Sequence, residues 1–332
     1  MPIAVRSFAK INLGLKIGPT RADGFHELRT IYQTLALHDV VRVEVQPGSG
    51  IEIRCDNPRV PLDESNTCYK IAERVLKTAG FQVRVVIQID KRLPVQGGLG
   101  AASSNAVATM LGLERELGTK ISDEEKLRIA AEVGSDLPLF LIGGTVLGVG
   151  RGEEVHPLQD LPTLHLVVVT PSIGVSTPTA FARWDEVAAR EPELTGTGTA
   201  GTINEFGQAP FAWLSESVFS QAASASEPAS GVPAVGGDRA ETLLLDLVRA
   251  GIENDFERVV FPEYPELREV KRVLQREGAR FASLSGSGST LYGVFASGEE
   301  AQAAAGRMKS SGYAAVVTTT LTRDEYWQQM FA

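Results

Sequence analysis

A glycine-dense run, Pro94-Val95-Gln96-Gly97-Gly98-Leu99-Gly100-Ala101-Ala102-Ser103-Ser104-Asn105-Ala106, separates two stretches of different period. Before it, Val83, Val85, Ile87 and Ile89 alternate as in a strand; after it, Ala106, Met110, Leu113 and Leu117 share one face of a helix spanning Ser103 to Leu117. Small residues between a strand and a helix let backbone N–H groups approach an anion at the positive helix end, a geometry suited to a di- or triphosphate. The same residues also serve a plain tight turn. No Gly-Lys-[Ser/Thr] follows, so the loop is not a Walker A motif. Gly98-x-Gly100-x-x ends in Ser103, so it is not the dinucleotide fingerprint either.

From Ile3 to Ile17 the odd positions are almost all apolar or small, while the even ones include Arg6, Lys10, Asn12 and Lys16. This predicts a half-buried strand with Lys10 and Asn12 on one polar face. A lysine on such a face can simply be solvated. Yet Ala9-Lys10-Ile11-Asn12-Leu13-Gly14-Leu15 is otherwise small and apolar, so the ammonium needs an anion or a carboxylate nearby. Asp136, in Gly134-Ser135-Asp136-Leu137-Pro138, is the candidate, though the same context suits a turn or cap residue. Facing Lys10, it would supply a base next to a cation. In Asp23-Gly24-Phe25-His26, the ring of Phe25 could stack on a ligand and His26 could hydrogen-bond it, unless the segment is only a loop. The other histidines lack metal-ligand spacing such as HExxH. Ser285-Gly286-Ser287-Gly288-Ser289-Thr290 joins two apolar strands, either as a hairpin turn or as a second element closing over phosphates.

Further strands are expected at Val40 to Val45, Leu164 to Val169, on both sides of the late glycine turn, and at Ala314 to Thr320. Helices are expected at Asn66 to Thr78, after the Ser122-x-x-Glu125 capping box, near Ser176-Thr177-Pro178, at Glu266 to Glu277 and at Glu299 to Ser310. Both halves mix sheet and helix, so the class is α+β, with domains expected at 1–160 and 161–332. Within 195–237, 28 of 43 residues are Gly, Ala, Ser, Thr or Pro and none is Lys or Arg, which predicts a flexible insertion.

The net charge of -9 disfavours a general nucleic-acid binder. Residues 1–30 nevertheless carry five cationic side chains against two anionic ones, where an anionic small molecule could be met. No apolar run approaches the roughly 20 residues of a membrane span, and no leader pattern is visible, so the expected location is the cytoplasm. Cys55 and Cys68 stand apart and are expected to be buried free thiols.

The order of three segments, Lys10 and Asn12 on a first strand, the Pro94 to Ala106 loop and the late Ser285 to Gly288 turn, resembles the GHMP family of small-molecule kinases. Ala9 to Leu13, Asp23 to Leu28, Gly134 to Pro138, Asn254-Asp255-Phe256 and Tyr264 to Leu267 resemble the branch acting on a cytidine diphosphate conjugate of methylerythritol. The resemblance implies an N-terminal domain like ribosomal protein S5 domain 2 and a ferredoxin-like C-terminal domain. It implies ATP and Mg²⁺ as cofactors and phosphoryl transfer to the 2-hydroxyl of the methylerythritol moiety, a step in the non-mevalonate route to isoprenoid precursors. By carry-over, Asp136 is the base and Lys10 its partner. Pro94, Val95, Gln96, Gly97, Gly98, Leu99, Gly100, Ala101, Ala102, Ser103 and Ser104 hold ATP, with Ser103 or Ser104 approaching Mg²⁺. Asn12, Phe25, His26, Thr177 and Phe181 line the substrate pocket, and Ser285, Gly286, Ser287 and Gly288 support the phosphates. The family pattern has tyrosine at Phe25 and glycine at Gln96, Ala101 and Ala102. The partner implied is the small-molecule substrate, with no nucleic acid or membrane, for a monomer or homodimer. Alternatives are another kinase of the family, acting on homoserine, mevalonate or a sugar, or a catalytically silent nucleotide-binding regulator.

Overall fold

The chain begins with two long paired strands, β1 (Ile3–Thr20) and β2 (His26–Gln46), in a computed structural model that describes residues 2–95, 97–191, 194 and 253–331. The flexible insertion expected at 195–237 lies outside the described residues. Two compact units result. The first comprises Met1–Ile11, Tyr32–Pro157 and Thr318–Ala332; the second comprises Asn12–Ile31 and Leu158–Val317.

This division departs from the consecutive domains expected at 1–160 and 161–332. The main break falls close to the expected place, but each unit also takes a segment from the other half. The reason lies in the first strands and the C-terminus: Leu15 and Ile17 join the core of the second unit, and Tyr326 joins that of the first. The Tyr326 ring packs 5.2 Å from that of Phe8, and its hydroxyl donates to the Phe140 carbonyl at 2.6 Å.

In the first unit, β2 pairs antiparallel with β4 (Arg84–Asp90), and β3 (Gly50–Arg54) adds to β4 in parallel. On the other side of β2 come β5 (Thr145–Val149) and β6 (Glu154–Pro157), an antiparallel pair. Helices α1 (Thr67–Ala79), α2 (Ala101–Leu117), α3 (Asp123–Val133) and α4 (Leu137–Ile142) supply the other face of the core. Their ends follow the sequence: Asn66 and Ser122 cap α1 and α3 by accepting backbone N–H groups, and left-handed Gly80 and Gly118 end α1 and α2. α2 is buried along most of its length, consistent with its nearly uncharged first three turns.

The second unit has a sheet in the order β10 (Ala315–Thr319), β7 (His165–Val169), β9 (Leu291–Phe295), β8 (Phe281–Leu284). Helices α5 (Thr177–Ala188), α6 (Glu257–Glu263), α7 (Pro265–Arg276) and α8 (Gly298–Ser310) pack their apolar residues with it. The last helix of the chain, α9 (Arg323–Gln329), opens on a full capping box from Thr322 and Glu325.

The half-buried strand expected at Ile3 to Ile17 is instead buried on both faces from Ser7 to Leu15, so its polar residues are interior groups that need partners. The two cysteines also differ from expectation: both are free, but only Cys68 is buried, and Cys55 is half-buried. Burial pushes the Cys68 thiol up to about 12, so it stays protonated at neutral pH. A disulfide-exchange reagent at pH 8 should therefore titrate one thiol, Cys55, in the native protein and both after denaturation; two fast thiols in the native state would contradict this burial.

Candidate active site

Where β1 passes the glycine loop, the Lys10 N–H donates to the Leu99 carbonyl at 2.9 Å. The Lys10 side chain is only 4% exposed, and an ammonium so buried is costly unless paired. Its Nζ lies 3.3 Å from Asp136 Oδ2, so the carboxylate required by the sequence is present. Asp136 occupies the N-cap position of α4 yet makes no capping hydrogen bond with its side chain. The cap reading of this residue therefore does not hold. Its Oδ1 instead accepts from the Tyr32 hydroxyl at 3.2 Å, and the Tyr32 ring centroid lies 5.4 Å from Lys10 Nζ. Asp136 remains about one third exposed, at 35%, so a carboxylate held by a cation and a phenol is still open to a reacting group.

The glycine loop runs from Pro94 and Val95 through Gly97, Gly98 and Leu99 to Gly100; Gln96 lies outside the described residues. Gly98 and Gly100 have φ of 79° and 67°, the left-handed region that glycine adopts without strain. Gly100 is the N-cap of α2 and brings no side chain to its first-turn N–H groups, which have no partner within the helix. A Cβ at Gly100 would lie 2.9 Å from Phe140 Cζ and 3.0 Å from Lys10 Cγ, so the loop is brought directly against the lysine stem. Beyond it, Ala101 and Ser104 are buried, Ser103 is half-buried and Ala102 is exposed. The loop is held from below by Asp39, which is fully buried. Asp39 accepts from Lys91 Nζ, the Arg92 N–H and the Leu93 N–H, each at 2.7 Å, and from Asn105 Nδ2 at 3.1 Å. One carboxylate thus ties the entry of the loop to the first turns of α2.

In the second unit, Asn12 is buried and donates through Nδ2 to Thr30 Oγ1 at 2.7 Å, while its carbonyl accepts from the Tyr292 hydroxyl at 2.9 Å. Phe25 stands at the β1–β2 turn with 52% of its surface exposed. His26 is buried, its ring stacked on that of Phe181 with centroids 4.8 Å apart, and its Nε2 lies 2.7 Å from Asp185 Oδ1. Thr177 and Ser287 share a hydroxyl hydrogen bond of 2.7 Å. The late glycine run is a hairpin turn in its backbone, with the Ser285 N–H donating to the Thr290 carbonyl at 2.9 Å. Asn254 fixes it by donating to the carbonyls of Leu284 at 2.8 Å and Gly286 at 2.7 Å. Next to it, Asp255 accepts from the Ile17 N–H at 2.9 Å and pairs with Lys16 at 3.0 Å. Burial raises the Asp255 carboxyl above its usual range, against the pull of Lys16.

The chain matches the profile of the GHMP kinases N terminal domain over residues 66–144 and that of the GHMP kinases C terminal over residues 240–314. It is 34% identical over 319 residues, 96% of this chain and 99% of the relative, to a protein of Moorella thermoacetica named 4-diphosphocytidyl-2-C-methyl-D-erythritol kinase. The chain belongs to the GHMP kinase family. A Solibacter usitatus protein of the same name is 36% identical over 88% of this chain and 80% of its own. A crystal structure of 4-(cytidine 5'-diphospho)-2C-methyl-D-erythritol kinase superposes with a TM-score of 0.68 at 27% identity, covering 96% of this chain and 99% of that one. Homoserine kinase from Cytophaga hutchinsonii, at 21% identity and a TM-score of 0.66 over 97% of this chain and 95% of its own, shares the fold.

For this GHMP kinase, sequence reasoning assigned no role to Tyr32, Asp39, Lys91 or Asn254: Tyr32 bonds Asp136, Asn254 bonds Gly286, and Asp39 with Lys91 bonds the residues flanking the glycine loop. Asn254 was the most accessible of these, since Asn254-Asp255-Phe256 is one of the segments that carry the family resemblance. Asp39 and Lys91 had no local signal: they are 52 positions apart and meet only through the β2–β4 pairing.

Proposed function

We propose that this protein transfers the γ-phosphoryl group of ATP to the 2-hydroxyl of 4-diphosphocytidyl-2-C-methyl-D-erythritol, giving the 2-phosphate and ADP. The observation that carries this reading is the buried Lys10 to Asp136 contact of 3.3 Å, set directly against the Gly100 opening of α2. A base with a cation beside it, next to a helix end free of side-chain caps, is the equipment for taking a proton from an alcohol near a bound polyphosphate.

The residues present fit that polyphosphate. With no side chain at Gly100, whose Cβ would meet Phe140 and the Lys10 stem, the opening of α2 is set close beside the lysine. The first-turn N–H groups of α2 would hold the phosphates, and the hydroxyl of half-buried Ser103, rather than that of buried Ser104, would reach Mg²⁺, whose preference is for hard oxygen donors. When bound, MgATP supplies the phosphoryl group and the metal charge that offsets its oxygens. Asp136 accepts the acceptor hydroxyl's proton, and Lys10 keeps the carboxylate oriented and adds positive charge to the same place. Because phosphoryl transfer passes through a loose transition state, positioning and charge outweigh proton removal.

Recognition of the acceptor falls to Asn12, Phe25, His26, Thr177 and Phe181, with Phe25 stacking on cytosine and His26 reading its polar edge. Phe25 keeps a stacking face without a hydroxyl. Ser285 to Gly288, held by Asn254, would steady the phosphates through backbone N–H groups. The direct test is ADP release, coupled to a reporting enzyme, with the cytidine conjugate, homoserine and mevalonate as acceptors. Turnover confined to the cytidine conjugate is expected. Preference for homoserine or mevalonate would move the protein to another branch of the family, and ATP binding with no turnover on any alcohol would make it a silent regulator.

A further inference from the structure

We propose that Tyr32 is a positioning residue for the transfer step: its hydroxyl holds Asp136 at Oδ1 so that Oδ2 stays on Lys10 and the carboxylate keeps one orientation. The proposal rests on the reading of Asp136 as the base.

Tyr32 lies on β2, is almost fully buried and belongs to the hydrophobic core of the first unit. A phenol in a core must find a polar partner. The 3.2 Å contact to Asp136 Oδ1 provides it. The hydroxyl reaches that place because Gly152 leaves room: a Cβ on Gly152 would lie 2.5 Å from the Tyr32 oxygen. The ring meanwhile lies near the Lys10 ammonium, with 5.4 Å between Nζ and the centroid, so one side chain touches both members of the pair, the base through its edge and the cation through its face. Glu153, itself bonded to Arg151, is the other carboxylate acting on Tyr32. Burial, reinforced by Asp136, holds the phenol well above its ordinary range, so it remains protonated and can only donate to the carboxylate.

A carboxylate at the N-cap of a short helix would otherwise rotate about its side-chain bonds, since it makes no capping bond to its own helix. Lys10 alone fixes one oxygen. Tyr32 fixes the second, and two points of attachment define the plane of the base.

Tyr32→Phe keeps the ring over Lys10 and removes only the hydrogen bond. With the acceptor that the parent enzyme phosphorylates, kcat should fall about tenfold, the scale of one hydrogen bond to a charged group, while KM for ATP stays within about twofold. Thermal melting should change little. A parental kcat in Tyr32→Phe, alongside a strongly slowed Asp136→Asn, would overturn the positioning role and leave the base assignment standing. A lowered melting temperature with kcat and KM both impaired would mark Tyr32 as structural only, and equally overturn it. Full turnover by Asp136→Asn would remove the base reading itself, and the Tyr32 role with it.

Discussion

Asp136→Asn should lower turnover by about 10²-fold or more, the lower part of the range for removal of a general base, while ATP binds nearly as before. Asparagine keeps the shape of the side chain and an oxygen for the Tyr32 hydroxyl, so the fold around α4 is retained. What it loses is the proton acceptor and the negative charge that faces the buried Lys10 ammonium at 3.3 Å. The loose character of phosphoryl transfer places the expected effect toward the smaller end: the hydroxyl proton leaves late, and a correctly placed acceptor still reacts slowly without a base. The glycine loop does not depend on Asp136 for its hydrogen bonds; its supports are Lys10 N–H on Leu99 and the Asp39 cluster. Single-turnover transfer and an ATP titration on the same variant separate the two effects. Unchanged turnover would remove Asp136 from the reaction, and lost ATP binding would make it part of the nucleotide site instead.

The elements that the sequence expresses locally came through as expected. The alternation before Pro94, the helical face after Ser103, the Ser122 cap and the strands flanking Ser285 to Gly288 all depend on neighbours a few positions apart. The buried charge at Lys10 was legible too, because an ammonium in an apolar stretch demands a partner wherever the chain then leads. What could not be read depends on partners distant in sequence. Whether the Lys10 strand had one buried face or two turned on residues such as Phe140 and Tyr326, more than a hundred positions away, which cover it. Tyr32 looks like one more apolar residue in a long strand until Gly152 and Asp136 are seen around its oxygen. The exchange of Asn12–Ile31 and Thr318–Ala332 between the two units rests on where Leu15, Ile17 and Tyr326 pack, which their neighbours in sequence do not decide.

The second large effect is expected at Gly100, and its size can be separated from ordinary glycine strain by a control on the same helix. Gly100 and Gly118 flank α2, with left-handed φ of 67° and 58°. Alanine at either place meets the same backbone penalty, about 1 kcal/mol or somewhat more. At Gly118 nothing lies within 4 Å of the added Cβ, so the penalty ends there. At Gly100 the methyl would meet Phe140 Cζ at 2.9 Å, in a ring fully buried in the core, and the Lys10 stem at 3.0 and 3.2 Å. Phe140 has no space to retreat, so Lys10 and the loop must separate, carrying the ammonium away from Asp136. Displacement of a reacting group by about 1 Å can cost on the order of 10²-fold in rate. Gly100→Ala should therefore lose about 10²-fold or more in kcat/KM for ATP, whereas Gly118→Ala should show only the drop in melting temperature due to the backbone penalty, with near-parental kinetics. Equal kinetic losses in the two variants would show that the penalty is only backbone strain, and that the close approach of Gly100 to Lys10 has no part in catalysis.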